Sequence, residues 1–485
     1  MTSDVGRSVA DLATILVLDI GTSGIRAVVF DQRGAAVANE HREVLPDSPA
    51  PGLVSFDAPR QAAVALELAR RAIERVGPVA AIGVTNQRAS TIGWDRETGV
   101  PIGPGLGWQD QRSVQGAGLL GAAGFVASTG SLGPIAHWLH ATLDADLDRV
   151  VFGTVDTWIV WALTGGEAFV TDATNASGSM LWSPDHDDWH PDMLAALGLP
   201  RRAFATVRPT VGDFGRATAL PGSPPIVAVA GDQMAALAAH GPLDRGRTKM
   251  TFGTGGMLDV VVGARPVGGF SATHGCVPMM ACRTAERDDW MLEGVMMACG
   301  TNVEWLRDGL GLIDSVGASD ALAASCDHAD GVVYVPALLG LGTPSWDFSA
   351  RGTLFGLSRS TRPAHIARAV LEGVAHLTTD LVDAAERAVG LPIDRLSVDG
   401  GMTANATFVQ AVADATGRPI DVACDTEMTA RGAALLAGTA LGWWSGHDDV
   451  ASAWAPSRTA EPGRALDRGA WHEACRRATA LQRPL

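Results

Sequence analysis

Short apolar runs alternate along the chain with longer stretches in which apolar residues recur at helical spacing. In the first half, strands are predicted at residues 14–20, 26–31, 35–44, 79–85 and 226–230. A helix is expected between the third and fourth runs, because Asp57 can serve as its N-cap and Gly77 follows its last turn. A second helix is predicted at 153–163. This alternation indicates an α/β protein.

The second half of the chain repeats this arrangement. Its predicted elements are a hairpin at 248–263, helices near 295–309, 363–389, 404–416 and 429–438, and strands at 395–399 and 419–423. Because both halves open with a strand hairpin that carries a Gly-Thr tip, we predict two related domains, at residues 1–245 and 246–485.

The tip of the first hairpin carries groups that suit a phosphate. Residues 15–26 read ILVLDIGTSGIR, so Asp19 ends an apolar strand and Thr22 and Ser23 lie between two glycines. The backbone N–H groups of such a turn, its hydroxyls and the Arg26 guanidinium can bind phosphate oxygens, and Asp19 can hold Mg²⁺ through water. These residues alone are equally compatible with a purely structural hairpin.

Two further glycine turns strengthen a nucleotide interpretation. Residues 249–256 read KMTFGTGG, a strand followed by a second Gly-Thr-Gly tip, and 396–405 read LSVDGGMTAN. The paired glycines of the second segment let a flat ligand approach the backbone closely, and Asn405 can reach a base or a ribose. Each turn is a weak signal, but their order along the chain predicts a nucleotide-binding protein.

Composition narrows the class of protein. Among its 485 residues, the formal charge of −16 argues against nucleic acid or an anionic membrane as a partner. Lys249 is the only lysine, so no Gly-Lys-Ser/Thr P-loop exists; its place inside a strand favours a structural ion pair. The six cysteines form no CxxC pair, no signal peptide opens the chain, and no apolar run reaches the ~20 residues of a membrane span. We therefore expect buried free thiols and a cytoplasmic protein.

Eleven ordered motifs give the chain a family resemblance over nearly its whole length. Examples are DIGTSGIRAVVFD (19–31), GVTNQRASTIGWDRETGVPI (83–102), GWQDQR (107–112), GDQMAAL (231–237), KMTFGTG (249–255) and DGGMTAN (399–405). With these motifs the chain resembles the FGGY carbohydrate kinases and is most similar to glycerol kinases. The resemblance implies two ribonuclease-H-like domains of the actin, Hsp70 and sugar-kinase type around an interdomain cleft, with a small polyol or sugar in the first domain and ATP with Mg²⁺ as donor.

The resemblance also implies site roles. Asp232 would be the catalytic base that takes the acceptor proton, although its Gly-Asp-Gln turn is also compatible with a helix N-cap. Asp19 and Asp232 would bind Mg²⁺. The expected nucleotide contacts are Thr22, Ser23, Arg26, Thr254, Gly255, Gly300, Gly401 and Asn405. Glu304 stands where the family has a glutamine that contacts the nucleotide, so the resemblance does not decide whether Glu304 makes this contact.

The acceptor site both matches glycerol kinases and departs from them. Arg88, Trp108, Asp232 and Gln233 are the expected acceptor contacts. The family glutamate after Asn-Gln-Arg is Ala89 here, a phenylalanine is Met257, and a tyrosine is missing around residues 130–134. Losing a carboxylate that accepts two hydroxyl bonds enlarges the pocket, so a ketose or a four- or five-carbon polyol is the alternative acceptor to glycerol. Asp110 is a candidate replacement.

A different class of function shares this fold. Actin and the Hsp70 chaperones are nucleotide-driven switches with the same domains and hairpins. The segments NQRAST, GWQDQR and GDQM resemble acceptor-site motifs instead, which favours an enzyme. The family also suggests a homodimer.

Overall fold

The computed structural model of the protein describes residues 14–50, 52–143, 145–266, 271–424, 427–444 and 455–480. These residues cluster into two compact units. The first unit lies within Met1–Pro242, Met280–Asp288 and Thr429–Ala453, and the second within Leu243–Met279, Asp289–Met428 and Trp454–Leu485.

Strands and helices alternate through the first unit. Its strands are β1 (Thr14–Ile20), β2 (Gly24–Asp31), β3 (Ala36–Glu43), β4 (Ser55–Phe56), β5 (Ala81–Asn86), β6 (Thr91–Asp95), β7 (Gly105–Leu106), β8 (Val150–Thr154), β9 (Val170–Asp172), β10 (Trp182–Ser183), β11 (Asp188–Trp189), β12 (Thr206–Arg208) and β13 (Ile226–Gly231). Its helices are α1 (Ala58–Val76), α2 (Val114–Ala122), α3 (Leu132–Leu143), α4 (Val155–Leu163), α5 (Ala173–Gly178), α6 (Pro191–Leu197) and α7 (Asp232–Ala239), with a 3-10 turn at Arg201–Ala203.

The main sheet of the first unit has the order β13-β5-β1-β2-β3. The three strands at one side are antiparallel, whereas β5 runs parallel to both β1 and β13. The apolar runs predicted from the sequence lie in this sheet because both of its faces are covered; every residue of β5, for example, is buried. Helix α1 begins as predicted, since the Asp57 side chain accepts from the Arg60 N–H at 2.9 Å and Gly77 caps its end.

The second unit has the same alternation. Its strands are β14 (Thr248–Phe252), β15 (Gly256–Gly263), β16 (Val277–Arg283), β17 (Asp288–Met296), β18 (Val333–Val335), β19 (Thr353–Phe355), β20 (Leu396–Asp399), β21 (Ile420–Val422) and β22 (Arg458–Ala460). Its helices are α8 (Gly300–Asp308), α9 (Ala318–Ala324), α10 (Pro363–Val389), α11 (Ala406–Thr416), α12 (Met428–Ala440) and α13 (Arg468–Ala480), with a 3-10 turn at Gly401–Ala404. All of α12 but its first residue belongs to the first unit.

The larger sheet of the second unit repeats the first. Its strands lie side by side in the order β17-β15-β14-β20-β21, with β16 added at the β17 edge and β22 at the β21 edge. Strands β14, β15 and β17 are antiparallel neighbours, and β20 runs parallel to β14 and β21. In strand order and direction this is the arrangement β3-β2-β1-β5-β13 of the first unit. The predicted pair of related α/β domains is therefore confirmed as a repeated sheet.

Two predicted helices begin later than expected. Gly153 and Thr154 are the end of β8, because they pair with Ile92 and Thr91 on β6, and α4 starts at Val155. The helix expected near 295–309 starts at Gly300, since Met296 still pairs with Gly256 in the sheet. Both errors fall where a buried strand runs directly into a helix, so the apolar pattern contains no break.

Candidate active site

Three predicted acceptor residues, Arg88, Asp232 and Gln233, and the predicted phosphate-binding turn at 21–23 follow the ends of three neighbouring strands. Trp108 follows β7, which belongs to a separate sheet. Parallel pairing places Ile20 of β1 opposite Asn86 of β5, and Asn86 opposite Gly231 of β13. The carboxyl ends of these strands therefore lie at one edge of the sheet, where open α/β sheets bind ligands. The segments that leave this edge begin with residues 21–23, 87–90 and 232–233.

The first hairpin tip is joined to the turn after β5. The Thr22 hydroxyl donates to Gln87 Oε1 at 3.2 Å and accepts from the Trp108 indole N–H at 3.4 Å. Arg26 and Asp19 are partners across the hairpin, with 3.9 Å between NH1 and Oδ2. Asp19 is buried and Ser23 is exposed. The structure thus brings Asp19, Thr22, Arg26 and Trp108 together.

Gln87 organises these contacts, although the sequence analysis gave it no role. Its Oε1 also accepts from the Ser90 hydroxyl at 3.1 Å, and Ser90 Oγ accepts from the backbone N–H of Trp108 at 3.1 Å. One buried amide therefore ties the phosphate-type tip to the Trp108 turn. The available sequence signal was a polar residue directly after a fully buried strand.

Arg88 and Asp232 face each other across this edge. Their Nε and Oδ1 atoms are 3.5 Å apart, and both side chains are partly buried. A Cβ on Gly231 would lie 2.8 Å from Cγ and Cδ of Arg88, so glycine is required for Arg88 to pass over this strand end. Gly231 is also the N-cap of α7, so the alternative of Asp232 as the N-cap is wrong. The Asp232 carboxylate accepts from the Gln233 N–H at 2.8 Å.

The Trp108 turn is held by a buried carboxylate. Asp110 is fully buried; its oxygens accept from the Val54 N–H at 2.6 Å and from the Arg112 guanidinium at 2.7–3.0 Å. These bonds make Asp110 an anchor of the loop. A Cβ on Gly130 would lie only 1.6 Å from the Trp108 carbonyl oxygen, so the segment in which glycerol kinases carry a tyrosine packs here against the Trp108 backbone.

In the second unit, three predicted nucleotide residues meet at the second hairpin tip. The carbonyl of Thr254 accepts from the Cys299 N–H at 2.8 Å and from the Thr301 hydroxyl at 3.1 Å. The Gly300 N–H donates to the Gly253 carbonyl at 2.9 Å, so the start of α8 lies on the tip. Thr254 is exposed, and Gly255 is partly so.

The remaining predicted adenosine contacts follow β20. Gly401 begins the 3-10 turn and is exposed. Asn405 caps α11: its Oδ1 accepts from the Phe408 N–H at 2.8 Å, and its amide nitrogen donates to Ser319 Oγ at 3.0 Å. Glu304 is an exposed residue of α8. Lys249 forms the expected structural pair, with Nζ 2.7 Å from Asp259 Oδ2.

Comparison with known proteins decides the family. Residues 14–239 match the model of the N-terminal domain, and residues 248–441 that of the C-terminal domain, of the FGGY family of carbohydrate kinases. The chain belongs to the FGGY family. The predicted resemblance, including the similarity to glycerol kinases, is confirmed.

Individual FGGY proteins agree with this assignment. A protein of Trichlorobacter lovleyi named glycerol kinase is 39% identical over 98% of this chain and 100% of its own length. The solved glycerol kinase of Plasmodium falciparum with ADP is 26% identical, with a TM-score of 0.86 over 96% of this chain and 98% of that one. The solved xylulose kinase of Lactobacillus acidophilus is 19% identical, with a TM-score of 0.84 over 96% of this chain and 98% of that one, and supports the fold alone.

The FGGY chain offers few metal ligands of its own. Among the described residues, no group of three or more His, Cys, Asp or Glu side chains could hold a metal ion. Mg²⁺ takes one or two carboxylates and completes its shell with water and phosphate oxygens. The donor set of Asp19 and Asp232 therefore fits Mg²⁺ carried with a nucleotide, but not a resident metal. No helix within the described ranges has the length and apolar character to cross a membrane.

Two fully buried carboxylates lie beneath the same sheet edge. Burial, followed by the charge of Asp172, raises the pKa of Asp156 to about 6, against bonds from Thr154 and Thr171 that favour the carboxylate. Burial also raises the pKa of Asp172, while N–H groups of Thr174 and Asn175 oppose the shift. The FGGY fold thus holds two interacting acids in the core below Arg88 and Asp232.

Proposed function

We propose that this protein transfers the γ-phosphoryl group of ATP to a hydroxyl of a small polyol or sugar, with Asp232 as the base. The observation that carries the proposal is the Asp232 carboxylate 3.5 Å from Arg88 at the sheet edge, in a chain of the FGGY family. Phosphoryl transfer needs an acceptor hydroxyl held in line and a carboxylate that takes its proton. Arg88 would orient the acceptor hydroxyls, and Trp108 and Gln233 would contact the acceptor beside it.

The nucleotide contacts form the second part of the proposal. In the first unit, Thr22, Ser23 and Arg26 would bind phosphate oxygens, and Asp19 and Asp232 would hold Mg²⁺ directly or through water. In the second unit, Thr254 and Gly255 would bind phosphate oxygens, and Gly300, Gly401 and Asn405 would lie near the adenosine. When bound, Mg²⁺ would neutralise negative charge on the phosphate groups.

The acceptor is proposed to be a ketose or a four- or five-carbon polyol. Ala89 offers a methyl group where the family glutamate would accept hydrogen bonds from acceptor hydroxyls. The backbone of Gly130 packs against the Trp108 carbonyl in the segment where the resemblance implies a tyrosine. Glycerol is the second candidate, because the matched relatives at 39–40% identity are named glycerol kinases. The two candidates share the base and the donor and differ only in the acceptor contacts.

An acceptor panel tests the proposal. ADP release from MgATP is measured with purified protein and glycerol, four- and five-carbon polyols and ketoses. We expect acceptor-dependent release with the highest kcat/KM for one of the longer compounds. A preference for glycerol would overturn the acceptor proposal and leave the kinase proposal standing. Hydrolysis that no acceptor changes would instead support a nucleotide-driven switch.

Asp232→Asn tests the base. The amide cannot take the acceptor proton, so we expect kcat to fall at least about 10³-fold while the Kd for MgATP changes less than about threefold. The Kd is measured by calorimetric titration. Gln233→Glu is the matched variant, because it adds a carboxylate one residue away and should not restore transfer to Asp232→Asn. Turnover retained by Asp232→Asn would remove Asp232 from the role of base.

Three further assignments stand as proposals. The domain bounds are proposed as 1–245 and 246–485; the chain first passes between the units after Pro242, although residues 280–288 and 429–444 belong to the first unit. A cytoplasmic location accords with six free cysteines, four of them buried, although Cys424 is exposed. A homodimer is tested by light scattering of the purified chain.

A further inference from the structure

Asp172 is the N-cap of the short helix α5, but most of its contacts reach beyond that role. It is fully buried and accepts from five donors: the N–H groups of Thr174 and Asn175, the Asn175 amide, and the hydroxyls of Thr174 and Thr210. All five distances are 2.8–3.0 Å. A helix cap requires only the first two of these bonds.

The hydrogen bonds around Asp172 form a network with two arms, each a chain of bonds that starts at the Asp172 carboxylate. The first arm ends next to Asp232. The Thr174 hydroxyl donates to Asp172 Oδ1 at 3.0 Å and accepts from the backbone N–H of Gly231 at 2.9 Å. Gly231 ends β13, and Asp232 is the next residue. The position of the Asp232 backbone is therefore tied to the buried Asp172 carboxylate through the single hydroxyl of Thr174, which lies 57 residues before Gly231.

The second arm ends next to Arg88. The Asn175 amide nitrogen donates both to Asp172 Oδ1 at 2.9 Å and to Asn86 Oδ1 at 3.1 Å. Asn86 in turn donates to Asn175 Oδ1 at 2.9 Å and to the Gln87 carbonyl at 2.9 Å. The Gln87 carbonyl belongs to the peptide bond that joins Gln87 to Arg88, so this arm ends next to Arg88.

Both arms start from one carboxylate and end on strands that are neighbours in register. Gly231 pairs with Asn86, so these two residues are the ends of adjacent strands. Thr174 and Asn175, both in the first turn of α5, therefore hydrogen-bond to two adjacent strand ends. The last residue of α5 also supports Arg88, because a Cβ on Gly178 would lie 3.3 Å from Arg88 Cδ. Satisfied buried networks of this kind fix one geometry, since each unmade bond is costly at low dielectric.

We propose that Asp172, acting through Thr174 and Asn175, is a positioning residue that sets the distance between Asp232 and Arg88. The inference rests on the proposed kinase function for its effect on turnover, but the network itself does not. Asp172 touches neither substrate. Its effect is to hold the two turns in one arrangement, so that a base and an acceptor-orienting guanidinium meet the same hydroxyl.

Thr174→Val is the decisive variant, because Asp172→Asn replaces an acceptor oxygen by a donor and so disrupts several buried bonds at once. Valine keeps the shape and removes the bond to the Gly231 N–H. We expect kcat to fall about 10- to 100-fold with KM for MgATP within threefold, and Thr174→Ser to restore kcat to within about threefold of wild type. Thr157→Val is the matched control: Thr157 is equally buried in α4, and its hydroxyl has no hydrogen-bond partner among the described residues. It should keep wild-type kcat.

Hydrogen exchange separates this inference from the kinase proposal. Exchange of the peptide that contains Gly231 is followed by mass spectrometry in the absence of substrate. We expect faster exchange in Thr174→Val than in wild type, Thr174→Ser or Thr157→Val. Unchanged exchange, or a kcat loss that Thr157→Val shares, would overturn the positioning role. If the wild-type protein phosphorylates no acceptor, the kinase proposal fails. The hydrogen-exchange result alone then decides whether the Asp172 network holds the Gly231 strand end.

Discussion

At the scale of single residues, Ala89 is the position where this chain differs most informatively from glycerol kinases. It has a φ of 65°, a left-handed conformation that residues other than glycine adopt rarely. It lies directly after Arg88 and before Ser90, whose hydroxyl accepts from the Trp108 N–H. Position 89 therefore lies between the proposed acceptor contact Arg88 and the residue that holds the Trp108 turn.

Ala89→Glu is expected to shift acceptor preference toward glycerol. A carboxylate at this position restores acceptors for two hydroxyls and fills space that a longer acceptor would use, so the ratio of kcat/KM for glycerol to that for the best longer acceptor should rise at least about tenfold. Ala89→Gly is the control, because it relaxes the backbone without adding an acceptor and should leave the ratio unchanged. An equal change in both variants would assign the effect to the backbone.

The sequence predicted the residues at this edge better than it predicted what holds them. Arg88, Trp108 and Asp232 each follow a buried strand or lie in a polar turn, so local pattern and resemblance were enough. Gln87 and Asp172 were missed as organisers because each network includes bonds between distant residues. Thr22 and Gln87 are 65 positions apart, Thr210 and Asp172 are 38 apart, and Gly231 and Thr174 are 57 apart. No local pattern encodes such contacts, and a buried aspartate before a helix is first interpreted as a cap.

At the scale of elements, the β14–β15 hairpin is braced by a buried charge pair. Lys249 and Asp259 are opposite each other in register, both are fully buried, and Lys249 Nζ also donates to Thr251 Oγ1 at 2.9 Å. Glu293 is the next partner across the sheet and is buried as well. The only lysine of the chain thus stabilises the strand that leads to the Thr254 tip.

Lys249→Met should destabilise the protein by about 3–5 kcal/mol, because it leaves the Asp259 carboxylate buried without its cation. The double variant Lys249→Met, Asp259→Leu should recover much of that loss, since it removes both charges. Arg476→Met is the control: its pair with Glu473 is exposed and screened by solvent, so the loss should be much smaller than in Lys249→Met. Denaturant unfolding measures all three. A loss in the double variant as large as in the single one would contradict this account.

At the scale of the whole molecule, the repeated sheet explains why the sequence predicted two related domains. Each sheet contains a hairpin whose tip is Gly-Thr and continues into two parallel strands, so the same local pattern occurs twice. The composition of the units was harder to predict. Residues 280–288, which include most of β16, and residues 429–444 belong to the first unit although the segments before them belong to the second, and only tertiary contacts reveal such exchanges.

The repeat also leads to a test on the intact protein. If both hairpin tips bind phosphate oxygens, MgATP at about 100 times its Kd should stabilise the folded chain by about 2.7 kcal/mol, which for a chain of 485 residues raises the melting temperature by about 3 °C. Asp232→Asn should retain most of the increase, because Asp19 and the phosphate contacts at the two tips still hold MgATP when the base is replaced. Thr22→Val and Thr254→Val should each reduce the increase, and Thr157→Val should not. An increase lost in Asp232→Asn would make Asp232 a nucleotide contact, whereas an increase that survives both tip variants would exclude the hydroxyls as phosphate contacts.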